Sequence, residues 1–232
     1  MQNIKKLICA IATTAALVGA GAARALPMLE VNDASGAGYF GYQDTKEVTV
    51  GYRFTANENI SVYSLGIVNG FGNGLQIAHS VGLWNNSGTL LSSVLFAPDS
   101  GTANAAFLYL DMPSAISLVA GDSYRIAATF VGKDLADKIL YIYLDDFDSY
   151  LNINSAVTIE KGNVWHLDDL TEDDLDFPDV FTTFNTNRQS SFSVTSNFLF
   201  TREASNSVPA PATLALFGLG LAILGWSRRK KA

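Results

Sequence analysis

Imidazoles and carboxylates carry most acid–base and metal chemistry in proteins, and this chain distributes them unevenly. It has two histidines, His79 and His166, against 22 aspartates and glutamates. His166 precedes Asp168 and Asp169, which could orient it as a base, but no candidate nucleophile stands nearby in sequence. His79 opens an apolar run after a glycine-rich stretch, the position of a surface or edge-strand histidine. Neither belongs to an H-E-x-x-H pair, and the chain has no G-x-S-x-G elbow. Ten of the acids form two clusters. Asp145, Asp146 and Asp148 follow an apolar run, and Asp168, Asp169, Glu172, Asp173, Asp174, Asp176 and Asp179 crowd a later one. Clustered hard oxygens suit Ca²⁺, and Asp145, Asp146 and Asp148 are the first candidates to hold it. No other cofactor is implied. Lacking a D-x-D-x-D-G loop, the same acids also read as a charged, solvated loop, or as a glycosidase pair whose separation sequence does not supply.

Aromatic rings offer a third chemistry. Tyr141 and Tyr143 share one face of an apolar run, and Trp84 and Trp165 lie beside loops. Exposed rings stack on pyranose faces; the same alternation also suits rings that pack a core.

The elements that must position these residues are strands. Val48, Val50, Tyr52 and Phe54 alternate with Thr49, Gly51 and Arg53, and 60–68 forms a second run ended by the glycine-rich 69–74. Residues 80–84 and 89–96 flank Asn85-Asn86-Ser87-Gly88, a hairpin turn in which Gly88 can take positive φ. Ala120-Gly121-Asp122 turns into 123–131, where Tyr124, Ile126, Ala128 and Phe130 share a face. Residues 139–144 are apolar on both faces, and Phe192, Val194, Phe198 and Phe200 alternate again. The pattern predicts an all-β chain, a single β-sandwich of jelly-roll type over 26–207, with a signal helix before it and a transmembrane helix after it.

Both ends are addressed for export. A basic start (Lys5, Lys6) leads into an apolar run over 7–23 that closes on Ala23-Arg24-Ala25, a small-x-small pattern predicting cleavage after Ala25. The only cysteine, Cys9, lies in that segment, so the mature protein has no disulfide or thiolate ligand. At the other end, 212–226 is apolar or small apart from Thr213. As a helix it spans roughly 22 Å, short against a hydrocarbon core of about 30 Å. Arg228, Arg229, Lys230 and Lys231 follow and hold that end in the cytoplasm.

Val208, Pro209, Ala210 and Pro211, then a short apolar span, then the basic cluster: this order resembles the PEP-CTERM sorting signal of Gram-negative bacteria that make exopolysaccharide. The resemblance implies a partner, an exosortase-like membrane transpeptidase that recognises the proline motif and removes the tail. It also implies a passage through the inner membrane to the cell surface or beyond. Ala210 stands where that motif commonly has glutamate. The runs VGYRFTANENISVYSLGIV, HSVGLWNNSGTLLSSVLF and AISLVAGDSYRIAATF are similar to an uncharacterised β-sandwich domain of secreted bacterial proteins.

Charge narrows the partners. Residues 26–207 hold all 22 acids against eight basic residues, a formal charge of −14. That excludes nucleic acid and anionic lipid faces, which are reached through basic patches. The expectation is a non-catalytic surface or matrix protein associated with exopolysaccharide or biofilm. A lectin-like carbohydrate-binding module with a Ca²⁺-assisted loop is the alternative, and a glycoside hydrolase the third reading.

Overall fold

The computed structural model describes residues 25–32, 38–41, 47–70, 72–130, 137–143, 147–168, 175–183 and 191–203. The chain divides into two units, Met1–Arg202 and Glu203–Ala232, and apart from Glu203 the described residues belong to the first. Most of them are in strands.

Side-chain alternation sets the core. In β4 (Glu47–Ala56), Val48, Val50, Tyr52 and Phe54 are buried, while Arg53 on the opposite face is half-buried. The other principal strands are β5 (Ile60–Val68), β6 (His79–Asn85), β7 (Leu90–Phe96), β9 (Phe107–Leu118), β10 (Ser123–Phe130), β13 (Val157–Asp168) and β16 (Ser196–Arg202). Short strands complete the sheets: β1 (Leu26–Pro27), β2 (Leu29–Val31), β3 (Gly38–Gly41), β8 (Thr102–Asn104), β11 (Lys138–Tyr143), β12 (Leu151–Ile153), β14 (Val180–Thr183) and β15 (Ser191–Val194).

One sheet runs β14-β13-β4-β10-β6-β7 and a second β1-β16-β5-β9-β8, all antiparallel. Smaller sheets are β15-β11-β3 and β12-β2. The pairings β4 with β10, β5 with β9 and β6 with β7 are nested, as in one long hairpin; β10 then closes onto β6. A single apolar cluster takes side chains from both large sheets and from β11 and β15. Phe54 and Phe198, both fully buried, pack 5.2 Å apart, and Phe192 touches Tyr52 at 5.2 Å and Phe147 at 5.0 Å. Each such ring contributes about 2–3 kcal/mol by leaving water. Asn197, buried among them, is satisfied: its amide donates to the Leu29 carbonyl at 2.7 Å and to the Tyr109 hydroxyl at 2.8 Å.

Two of the longest strands are not evident from alternation, because bulges interrupt them. On β9, Asp111 faces Ser64 and Ile116 faces Val62, so the four residues between, Pro113 among them, have one opposite residue. Pro113 has no N–H to give a ladder, and the bulge accommodates it. On β13, Ile159 faces Phe54 and Asn163 faces Tyr52, which leaves Glu160, Lys161 and Gly162 out of register.

The expected signal and transmembrane helices lie outside the described residues. Within them the one helix is α1 (Phe147–Tyr150), and no helix is long and apolar enough to cross a membrane. Leu26, the first strand residue, is the register partner of Phe200 near the end of the last strand. The first and last described strands thus lie side by side.

Candidate functional site

At one end of the two large sheets a cleft of about 570 Å³ opens between two turns. The first turn joins β6 to β7. Asn85 fixes it: its side-chain oxygen accepts the N–H of Ser87 (3.1 Å), the Ser87 hydroxyl (2.8 Å) and the N–H of Thr89 (2.9 Å). Gly88 closes the turn at φ +90°, where a side chain would strain the backbone and press on the Phe177 ring. The second turn joins β9 to β10. There the Asp122 N–H donates to the Val119 carbonyl at 3.2 Å, and Ala56 holds the turn through both its backbone groups, accepting from Gly121 (2.7 Å) and donating to the Asp122 carbonyl (3.1 Å).

Leu91, Ile116, Ser117, Asp122 and Tyr124 line the cleft beside Asn85, Asn86 and Ser87. Tyr124 is buried, its ring stacked on Phe54 at 5.7 Å, and its hydroxyl accepts the Val119 N–H at 2.9 Å. That leaves the phenolic proton for another acceptor. These residues were legible only as turns and strand ends; nothing local in sequence shows that the 85–88 and 119–122 turns meet.

His79 is not a surface or edge-strand residue. It is 1% exposed and lies on β6, which is paired on both sides. Its Nδ1 donates to the Thr129 carbonyl at 2.7 Å, and its Nε2 stands 3.1 Å from the Asp137 carboxylate. Asp137 also accepts the N–H groups of Gln76 (2.8 Å) and Ile77 (3.0 Å). Burial pushes the Asp137 carboxyl up, but the His79 hydrogen bond and then the Ile77 and Gln76 N–H groups outweigh it and hold it below the usual carboxylate range. A carbonyl stands at one ring nitrogen and a carboxyl group at the other, so the ring is held from both sides. It latches the 72–78 segment to the sheet and is sealed from solvent.

Asp169 and the side chain of Asp168 lie outside the described residues; among those described, His166 meets an acid that directly precedes another strand. Its Nδ1 lies 3.0 Å from Asp179, across the β13–β14 pair, and that bond holds the Asp179 carboxyl below the usual range. Asp179 ends a segment, 175–179, that packs on the outer face of the six-stranded sheet and leads into its edge strand β14. Phe177 lies over the Arg125 guanidinium (4.5 Å) and Phe181 over that of Arg53 (4.3 Å). Arg125 also donates to the Pro178 carbonyl, and Arg53 pairs with Glu160 from the β13 bulge. Burial, then the neighbouring Arg53, lowers the Arg125 pKa. Trp84 is buried under this segment, 6.4 Å from the Phe177 ring, and outside the main core cluster. Gly82 makes room for it: a Cβ there would come within 2.4 Å of the indole. Trp165 is half-buried against the core. Neither ring stands free beside a loop.

The proposed Ca²⁺ ligands are not brought together in the described residues. Asp145 and Asp146 lie outside them, Asp148 is exposed on α1, and no group of three acidic, histidine or cysteine side chains among those described could hold a metal. The side chains of Tyr141, Tyr143 and Asp168 also fall outside, as do Asp169, Glu172, Asp173 and Asp174. So do Ala23 and the tail residues Val208, Pro209, Ala210, Pro211, Arg228, Arg229, Lys230 and Lys231, whereas Ala25 is the first described residue and is exposed.

Comparison with known families gives two matches. Residues 35–142 match a domain of unknown function, DUF4082, and residues 207–230 match the PEP-CTERM protein-sorting motif. No curated protein matches the chain. The DUF4082 match ends before β13 and β16, although β13 pairs with β4 and β16 with β5 within it, so the sheets are completed by strands beyond the matched segment. The PEP-CTERM motif marks a protein that is exported across the membrane, processed by an exosortase, itself a membrane enzyme, and sorted to the cell surface. The chain therefore carries a DUF4082 domain in its middle and a PEP-CTERM sorting motif at its C-terminal end.

Proposed function

We propose that this protein is a non-catalytic component of the cell surface or extracellular matrix, associated with exopolysaccharide after its tail is removed, and that its β-domain is a sandwich of jelly-roll type. The observation that carries the reading is the sorting motif at 207–230, which starts five residues after the last strand ends at Arg202. A folded domain handed to a surface by its own tail needs no chemistry of its own to act there. The nested pairing of β4–β10, β5–β9 and β6–β7 supports the jelly-roll assignment. The engagement of the histidines supports the non-catalytic one: His79 is sealed in the interior and His166 is bound to Asp179. Treating intact cells with polysaccharide-degrading enzymes tests this directly. Release of the tail-processed protein with the digested polymer is expected; its retention on cells stripped of polysaccharide would refute the association.

A second reading, a carbohydrate-binding module, is favoured by the cleft at 85–91 and 116–124, a polar pocket of about 570 Å³ within the ordinary size of ligand sites.

A further inference from the structure

We propose that this cleft binds a saccharide segment that carries no carboxylate or sulfate. The inference rests on the polysaccharide-associated reading above and adds the site and the chemical class of the ligand.

The lining selects by what it offers and by what it withholds. Among the described residues, the Asn86 amide, the Ser117 hydroxyl and the Asp122 carboxylate are exposed at the cleft and make no side-chain hydrogen bond or ion pair. Tyr124 adds the hydroxyl proton left over once the Val119 N–H has been accepted. Amide, hydroxyl and carboxylate together supply donors and acceptors side by side, which is what vicinal sugar hydroxyls require of a partner. Leu91 and Ile116, both partly buried against the core, give the apolar surface on which C–H faces rest.

The charges exclude the other ligand classes of similar size. No lysine or arginine lines the cleft, and its one charged group is Asp122. An anionic sugar or a phosphate would meet that carboxylate with no cation to balance it, at a cost that also opposes approach to a domain of formal charge −14. A single carboxylate is too few for a Ca²⁺ site. Stacking on an exposed ring is not the mode of binding, because the Tyr124 ring already packs on Phe54. Recognition is by hydrogen bonding in a cleft set in advance by two glycine turns, Gly88 at φ +90° and Gly121 at φ +88°.

The test is calorimetric titration of the tail-processed exported protein with neutral oligosaccharides (cello-, manno- and galacto-series) and with oligogalacturonate, alongside the variants Asn86→Ala and Asp122→Ala. Both residues are exposed, so the variants should melt with the native protein. At least one neutral oligosaccharide should bind, oligogalacturonate should bind about tenfold more weakly or not at all, and each substitution should weaken neutral binding by about tenfold. Equal or tighter binding of the uronate, neutral binding unchanged in both variants, or no neutral binding at millimolar concentration would overturn the assignment. Co-sedimentation with the host's own polysaccharide separates this from the broader reading. Variants that co-sediment like the native protein remove the cleft from the account and leave surface association intact; a native protein that does not co-sediment removes the association itself.

Discussion

His79 and Asp137, 58 residues apart in sequence, meet at 3.1 Å in the interior, with the second ring nitrogen of His79 2.7 Å from the Thr129 carbonyl. Around them Asp137 also collects the N–H groups of Gln76 and Ile77, so one carboxylate satisfies three donors from the segment that enters β6. The histidine that sequence places at the surface or on an edge strand serves as a buried latch.

Removing that carboxylate strands a buried ring nitrogen and two backbone donors. Asp137→Ala should therefore lower unfolding stability by about 3–5 kcal/mol, the range for breaking a buried pair from one side. Urea unfolding of the native and variant proteins measures it. A loss below about 1 kcal/mol would mean that the pair holds nothing in place.

The same group sets a pH dependence. The Asp137 carboxyl titrates below its ordinary range in the folded state, so the stability it contributes is present in full above the unfolded value of about 3.9 and is lost as pH falls through the lowered folded value. Melting temperature followed from pH 7 downward should drop in that acid window, and Asp137→Asn should flatten the drop. Asp179→Asn should change the profile little, because Asp179 is exposed and its shift comes from a solvent-screened contact with His166.

Phe177 tests the segment that covers the outer sheet face. Phe177→Ala opens one side of Trp84 and takes the ring from above Arg125, at a cost of about 1–3 kcal/mol. Tryptophan emission of the tail-processed protein should shift to longer wavelength as Trp84 meets water. An unchanged spectrum would show that Leu175, near Gly82, covers the indole without help from Phe177.

Much of the fold is legible residue by residue. The alternation of Val48, Val50, Tyr52 and Phe54 marks β4, and the turns at Gly88 and Gly121 do take positive φ, at +90° and +88°. Ile139, Leu140 and Ile142 are all buried in the core cluster, so both faces of β11 are covered, as its two-sided apolar pattern implies. What stayed hidden had physical reasons. Pro113 and the Glu160 bulge break the two-residue period of β9 and β13, so neither strand shows as alternation. The contact of His166 with Asp179 comes from the pairing of β13 with β14, which nearness in sequence does not show. Trp84 sits on the outer face of β6 by its parity, but only the later segment at 175–178 buries it. The cleft is assembled from two turns and the end of β9, each read separately as punctuation.

The N-terminal boundary follows from β1. Its first residue, Leu26, already pairs with Phe200, directly after the Ala23-Arg24-Ala25 pattern, so cleavage after Ala25 leaves the sheet whole. N-terminal sequencing of the exported protein should begin at Leu26. A start at Met1 on the exported form would contradict the signal-peptide assignment.

The central claim is that the tail is a sorting signal and not an anchor. The motif carries two prolines, Pro209 and Pro211, a residue type that disfavours helix, and the apolar run behind it is 15 residues long. Replacing both prolines should leave full-length protein in the inner membrane. The most direct measurement is mass spectrometry of the surface-fraction protein from a host with its exosortase and from a strain lacking it. The surface form should end within or near Val208, Pro209, Ala210 and Pro211 in the first strain, and full-length protein should accumulate in the membrane of the second. A mature surface form that carries its peptides through Ala232 in both strains would contradict the sorting-signal assignment.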